Sequence, residues 1–368
     1  MAYEIYQVLG RIESCLYIIS FIQMGFVIMK KMKVGIRVLM ALVFFGVCAP
    51  HAHADIPSGT VTINLTPVVD KIAGAVKLWV PYPMSDEFQT ITDVRVNGNY
   101  DRSEILRDPG SEAVYFSARW KSLDARPFAV MSFHISQKDR RRADIREKKA
   151  PYPVLVEKYL ASSQWVPASD PEMKKIAQKA VAGKEGTLAK ARAIYDWVVE
   201  NTFRDPNVKG CGLGVPSRTL NQCGGGGKCA DLSTVFVTLA RAAGIPARDV
   251  YGLRLSSPKE GDITSAYHCW AEFYLPGSGW VMVDPADVRK MMLVHNVALK
   301  DAGKWREFFW GGDDLFRVVL EKDARGVELR GALAPLNYFM YPAAEVNGTM
   351  LNYFDSKSFS YSVTFEKG

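Results

Sequence analysis

The sequence has little of what marks a metalloprotein or a nucleotide-binding fold. It holds only five histidines and six cysteines in 368 residues, and no C-x2–4-C pair of the kind structural zinc uses. Nothing matches a phosphate-cradling glycine loop or a calcium loop, so no metal and no other cofactor is expected. Internal repeats and low-complexity segments are lacking too. Excess charge is small: of the net +7, residues 1–54 carry five Lys/Arg and two Asp/Glu, which leaves +4 on the remainder. A surplus that small gives no reason to invoke nucleic acid. What remains is ordinary globular composition, 48% hydrophobic and 23% charged, with length enough for two or three domains.

The N-terminus is read separately. Lys30, Lys31 and Lys33 precede Arg37, an uncharged run from Val38 to Cys48, and then Ala52-His53-Ala54. That order is a charged n-region, an apolar h-region and a small-x-small cleavage site before Asp55. The run falls short of the ~20 apolar residues a spanning helix needs. Residues 1–54 are therefore expected to be a signal peptide with its true start at Met32, or together with the upstream run Cys15 to Met29 a membrane anchor. Export to the periplasm or outside the cell follows, with membrane contact only through this segment if it stays uncleaved. Cys211, Cys223, Cys229 and Cys269 are left after processing. Cys211 and Cys223 either close a disulfide or stay, with Cys269, as buried thiols.

Alternating and apolar runs predict a β-sandwich-like domain over 55–140. Thr60 to Leu65 and Phe128 to Ile135 alternate, and Val76 to Val80 is apolar. In the second of these, Met131, Phe133 and Ile135 share one face and His134 the other, so His134 is read as a surface strand residue. The basic stretch Lys138 to Lys149, with Arg140-Arg141-Arg142 interleaved by acids, reads as a solvated interdomain linker. A helical texture then opens a second domain over 150–290. Ser169-Asp170-Pro171-Glu172 starts a helix that ends at Gly183. A second helix runs from about Thr187 to Glu200, and a glycine-rich loop extends from Asn201 to Lys228. Cys229 opens an apolar helix that stops at Gly244. Strands are expected at Arg248–Leu255, Tyr267–Leu275 and Trp280–Asp284. Residues 291–368 are expected to form a C-terminal extension packing on this core, with β-type runs at Phe316–Leu320 and Phe359–Phe365.

Three residues in that second domain carry the chemistry. Cys229 follows four glycines and Lys228 at a helix start, where unpaired N–H groups and a partial positive charge favour a thiolate. His268 lies on a strand whose face it shares with Trp270 and Glu272. Asp284 closes the next strand beyond a tight Gly277–Gly279 turn, so the two strands pair antiparallel and the carboxylate comes near the imidazole. A thiol, a base and an orienting carboxylate in that relation make a nucleophilic triad.

Gly227-Lys228-Cys229-Ala230-Asp231, then Arg241-Ala242-Ala243-Gly244-Ile245-Pro246-Ala247-Arg248, then His268-x-Trp270-x-Glu272 and Gly279-Trp280 before Asp284-Pro285, resemble the transglutaminase-like superfamily. The match covers about residues 185–290. Leu78-Trp79-Val80-Pro81-Tyr82-Pro83 resembles the β-domain that accompanies bacterial members, and Leu336-Asn337-Tyr338-Phe339 with Tyr341-Pro342 resembles their C-terminal extension. The resemblance implies an α+β protein with a papain-like, transglutaminase-like core, a preceding β-sandwich-like domain and a mixed, β-containing tail. It implies Cys229 as nucleophile, His268 as base and acid, and Asp284 as orienter. One oxyanion donor would be the Cys229 N–H, and candidates for a second are Gln222, Asn221 and Trp197. Trp270, Gly227 and Lys228 are candidates to line the cleft, and Glu272 is expected in a strand-face salt bridge. The function implied is attack on amide bonds of a protein or peptide, cell-wall peptide included, through a thioester. A protein-glutamine acyltransferase and a non-enzymatic envelope module that binds peptide or glycan are the alternatives.

Overall fold

A computed structural model describes residues 58–69, 75–121, 125–140, 144–255, 260–312 and 317–368. The reading of residues 1–54 as a signal or anchor segment lies outside them. Among the described residues, no helix is long and apolar enough to cross a membrane.

The alternating runs become strands as expected. These are β1 (Ser58–Pro67), β2 (Val76–Pro81), β3 (Gln89–Gly98), β4 (Arg102–Arg107), β5 (Val114–Trp120) and β6 (Ala129–Gln137). Val61, Ile63 and Leu65 of β1 and Met131, Phe133 and Ile135 of β6 are buried, while the residues between them face outward or lie half-buried. His134 is half-buried on that outer face, within 3.1 Å of the Ser58 hydroxyl.

The middle of the chain is mostly helical. Its elements are α1 (Val154–Glu157), α2 (Pro171–Ala180), α3 (Gly186–Asn201), a short parallel pair β7 (Phe203–Arg204) and β8 (Gly226–Gly227), and α4 (Cys229–Ala242). Asp170 caps α2 as its sequence predicts, accepting from the Glu172 and Met173 N–H groups. The cap of α3 is not local: Glu147 accepts from the Thr187 and Leu188 N–H groups at 2.7 and 3.0 Å. The described residues of the 138–149 stretch are mostly exposed, as expected of a solvated linker, but they are fastened to the fold at several points. Lys148 N–H donates to Pro276 O at 2.7 Å, and Arg140 is buried with its guanidinium over the Phe88 ring.

Helix α4 is buried from Cys229 through Arg241, including the polar row Asp231, Thr234, Thr238 and Arg241 that recurs along one side at helical spacing. Beside it in the core lie residues of β9 (Ala247–Arg254) and β11 (Tyr267–Leu275). With β12 (Gly279–Val283) and β13 (Arg317–Lys322) these strands form an antiparallel sheet of order β12-β11-β9-β13. The turn at Gly277 and Gly279 pairs Leu275 with Gly279 and Ala271 with Val283, which leaves Asp284 just past the end of its strand. There the chain turns into α5 (Pro285–His295), a helix not anticipated from the sequence.

The tail does more than pack on the catalytic core. Strand β13 belongs to the core sheet itself. Strands β16 (Ala343–Val346) and β17 (Thr349–Met350) complete one sheet of the sandwich, in the order β17-β16-β2-β5-β4. Strand β18 (Phe359–Lys367) enters the other between β1 and the short β10 (Gly261–Asp262). It pairs with β1 along its whole length, from Gly59 with Lys367 to Pro67 with Phe359. The sandwich is built from both ends of the described chain, since neither end has strands enough to cover its own apolar face.

Candidate active site

The start of α4 is held by the helix's own third residue. Asp231, 2% exposed, accepts from Lys228 N–H at 3.0 Å, Leu213 N–H at 2.9 Å and Gly214 N–H at 2.8 Å. One carboxylate thereby ties the 212–214 loop to the turn before Cys229. Burial, the largest influence on it, raises its pKa against the pull of those three donors. Gly212 has φ +94, and any Cβ there would strike this carboxylate, so the loop needs glycine on both counts. The tail supports the same loop from beneath: Tyr338 hydroxyl donates to Gly212 O at 2.7 Å, and Cys211 N–H donates to the Tyr341 hydroxyl at 3.1 Å.

His268 and Asp284 meet as the strand pairing requires, Nε2 to Oδ2 2.7 Å. The same Oδ2 accepts from Arg317 Nη1 at 2.7 Å, and Oδ1 accepts from Asp287 N–H at 2.9 Å, so Asp284 also caps α5. Asp287 is a second buried carboxylate beside the ring, 3.6 Å from Nε2, and is itself paired with Arg254 and Arg317. Burial and Arg254 pull the His268 pKa down, but Asp287 and Asp284 outweigh them and the net shift is upward. Burial pushes Asp284 up, and the opposing charges of His268 and Arg317 carry it well below the carboxylate range. With both carboxylates already matched by arginines, this cluster is built to hold an imidazolium rather than a metal ion.

Cys229 is 3% exposed and His268 4%. Hydrogen bonds from the thiols of Cys211 and Cys269 are the largest influences on Cys229. Together with His268, which acts by hydrogen bond and by charge, they overcome burial and draw its pKa well below that of a free thiol. Cys211, Cys223, Cys229 and Cys269 are all free thiols, so Cys211 and Cys223 do not close a disulfide.

The remaining sequence candidates are placed differently. Asn221 is exposed and donates its amide to Glu172 Oε2 at 2.7 Å, which commits it to the surface. Gln222 is exposed at the end of the same π-helical turn. Trp197 is half-buried on α3 and packs against the core. Trp270 does not line a cleft. It is fully buried with Val250, Met282 and Val319, stacked at 6.1 Å from the His268 ring, with the Arg317 guanidinium 5.2 Å from the centroid of its own ring. Gly252, opposite His268 across the strand pair, leaves room for the Val318 carbonyl and the edge of the Trp270 ring. Gly227 is buried against Asp231, and Lys228 is half-buried at the helix cap. Glu272 makes the expected salt bridge, to Arg248 at 2.8 Å.

Arg317, Asp287, Asp231 and the two flanking thiols were not singled out for the site from the sequence. Asp284-Pro285-x-Asp287 repeats the capping signal read correctly at Asp170-Pro171, and applying it again would have found α5 and Asp287. Arg317 left no such signal, because its partner Asp284 lies 33 residues back, at the cap of α5.

Comparison with known proteins agrees with this geometry. The core model of the Transglutaminase-like superfamily matches residues 174–285. An uncharacterized protein of Haemophilus influenzae is 33% identical, over 89% of this chain and 99% of its own length. The uncharacterized protein YebA of Bacillus subtilis is 29% identical over 35% of this chain and 20% of its own. Among solved structures, a candidate cysteine protease from Cytophaga hutchinsonii shares the fold at 15% identity, with a TM-score of 0.51 over 84% of this chain and 98% of its own. By its matched core, its full-length relative and its fold, the chain belongs to the transglutaminase-like superfamily.

Proposed function

We propose that this protein is an exported thiol enzyme that cleaves amide bonds, of peptide or isopeptide type, through an acyl thioester on Cys229. What supports the reading is the buried pair of His268 and an Asp284 already neutralised by Arg317, together with a helix-start thiol whose pKa His268 helps to draw down. The Cys229 thiolate attacks the carbonyl carbon, and the oxyanion that forms is met by the Cys229 N–H at the positive end of α4. His268, as imidazolium, gives its proton to the departing amine. The neutral imidazole then takes a proton from water, whose oxygen attacks the thioester and releases the acid, with the thiolate–imidazolium pair restored. Asp284 keeps the ring oriented with Nε2 occupied, which leaves Nδ1 for the thiol and the leaving group. Because the reacting pair is almost wholly covered, the reading favours a slender substrate chain, such as a side-chain amide or an extended cell-wall peptide. An amine in place of water would give transfer instead of hydrolysis.

The test is mass spectrometry of the protein after exposure to peptide and peptidoglycan fragments. An acyl adduct on Cys229, absent from Cys229→Ala, supports the reading, and the mass of the released product separates hydrolysis from transfer. A Cys229 that neither acquires an adduct nor reacts with a thiol-directed probe at neutral pH would sink it in favour of a binding module.

A further inference from the structure

Three thiols from separate parts of the fold converge at the reacting centre. Cys211 comes from the loop that Asp231 braces, Cys229 from the first turn of α4, and Cys269 from β11. Their Sγ atoms lie within 4.8 Å of one another, and no disulfide joins them. One cation bound to three thiolates at about 2.3 Å requires sulfurs ~4 Å apart in a trigonal plane. A fourth soft atom stands beside them, the Met340 Sδ, 3.7 Å from Cys269 Sγ. Met340 is fully buried and lies between Tyr338 and Tyr341, whose hydroxyls hold the Cys211 loop.

The donor set decides the ligand. Thiolates with a thioether select a soft d10 ion, and a three-sulfur set with a weak fourth sulfur suits monovalent copper better than zinc, whose structural sites are tetrahedral and closed. We propose that Cys211, Cys229 and Cys269, with Met340 at the margin, form a binding site for Cu(I), and that an ion there removes the Cys229 thiol from reaction. Each ligating thiol that still holds its proton releases it to water as the ion enters, so the oxidation state of copper and sulfur is unchanged. The spacing in sequence conceals the site, since its ligands are brought together only by the packing of α4 on β11 and the bracing of the 211 loop. The inference goes beyond the proposed amide chemistry and does not depend on it.

The experiment is an anaerobic titration of the full chain with Cu(I), buffered by a colorimetric chelator, followed by X-ray absorption at the copper edge. One ion per chain with sulfur-only scattering at about 2.3 Å, together with loss of iodoacetamide labelling at Cys229, is expected. Cys211→Ser and Cys269→Ser should each weaken binding by more than the ~10-fold that loss of an outer partner costs. Met340→Leu should weaken it severalfold, and Cys223→Ser should leave it unchanged. Should the serine variants fail to fold, wild-type protein alkylated at Cys229, verified by peptide mapping, must have lost the copper. Copper uptake that survives that alkylation, wild-type affinity in either serine variant, or uptake of Zn(II) in preference to Cu(I) would overturn the site. None of these readouts requires turnover, so the copper site and the amide-cleaving reading can fail separately.

Discussion

Arg317 and Asp284 form an ion pair in which both side chains are fully buried, Nη1 to Oδ2 2.7 Å. Arg317 lies on β13, beyond the stretch that matches the superfamily core, yet it helps keep the carboxylate charged out of water. Replacing it with Met strands that charge, and loss of one partner of a buried pair costs about 3–5 kcal/mol. The pH dependence has a definite sign. Asp284 has a depressed folded pKa, so its contribution is present above the unfolded value of ~3.9 and is lost as pH falls through the folded value. Arg317→Met should therefore lower stability at pH 7 and move the acid unfolding midpoint upward. Urea unfolding at a series of pH values reads both, and a variant as stable as the wild type at pH 7 would contradict the account.

Cys229→Ala should abolish turnover while leaving urea unfolding within about 1 kcal/mol of wild type, since it removes one sulfur atom from a short side chain. Asp284→Asn keeps the size of the group but changes what it offers the ring. On the proposed mechanism kcat should fall on the order of 10³–10⁴-fold, in line with other nucleophile–histidine pairs deprived of their carboxylate. Steady-state rates on a small amide substrate check both, and undiminished kcat in Asp284→Asn would remove that residue from the relay.

The rate should be bell-shaped in pH. Its acid limb follows the lowered pKa of Cys229 and its alkaline limb the raised pKa of His268, the two apparent values belonging to the coupled pair. The imidazolium's contribution to stability is complete below ~6.5 and is lost as pH rises through the raised folded value. Because Asp287 and Asp284 supply that rise, Asp284→Asn should draw the alkaline limb of kcat/KM toward lower pH. An alkaline limb that does not move would mean Asp287 alone sets the His268 proton.

The parts of this site that were legible in the sequence are those whose geometry is local. Cys229 at a helix start, His268 on a strand and Asp284 one hairpin later are related by short-range rules, and the strand Tyr267–Leu275 falls where it was expected. Arg317, Met340 and the alignment of Cys211 with Cys269 depend on which strand packs beside which, and no periodicity records that. Trp270 was taken for a cleft residue because it neighbours His268 in sequence. Its ring instead fills the space over Gly252, a fit that only the paired strand reveals.

Asp231 offers a further check. Asp231→Ala orphans three backbone donors at once, and each unsatisfied buried group costs ~1–3 kcal/mol. Partial access of water to the loosened 212–214 loop should keep the loss near 3 kcal/mol. Iodoacetamide labelling of Cys229 should quicken as well, because the turn that covers the buried thiol is no longer held and a like-charged neighbour is gone. Labelling at the wild-type rate would show that the Cys229 environment does not rely on this brace.

The full-length pairing of β1 with β18 has a consequence for the order in which the fold is completed. The first described strand cannot be flanked on both sides until the last one has left the ribosome, for Gly59 is matched to Lys367 and Pro67 to Phe359. Contacts that distant in sequence are paid for in loop-closure entropy before they return anything, and they slow folding. The growing chain can therefore pair β1 with β6 early, but its other edge stays open until residues 359–367 have been made. Losing residues 359–367 should therefore cost more than one edge strand, because the buried row Val61, Ile63 and Leu65 would lie on an open sheet edge.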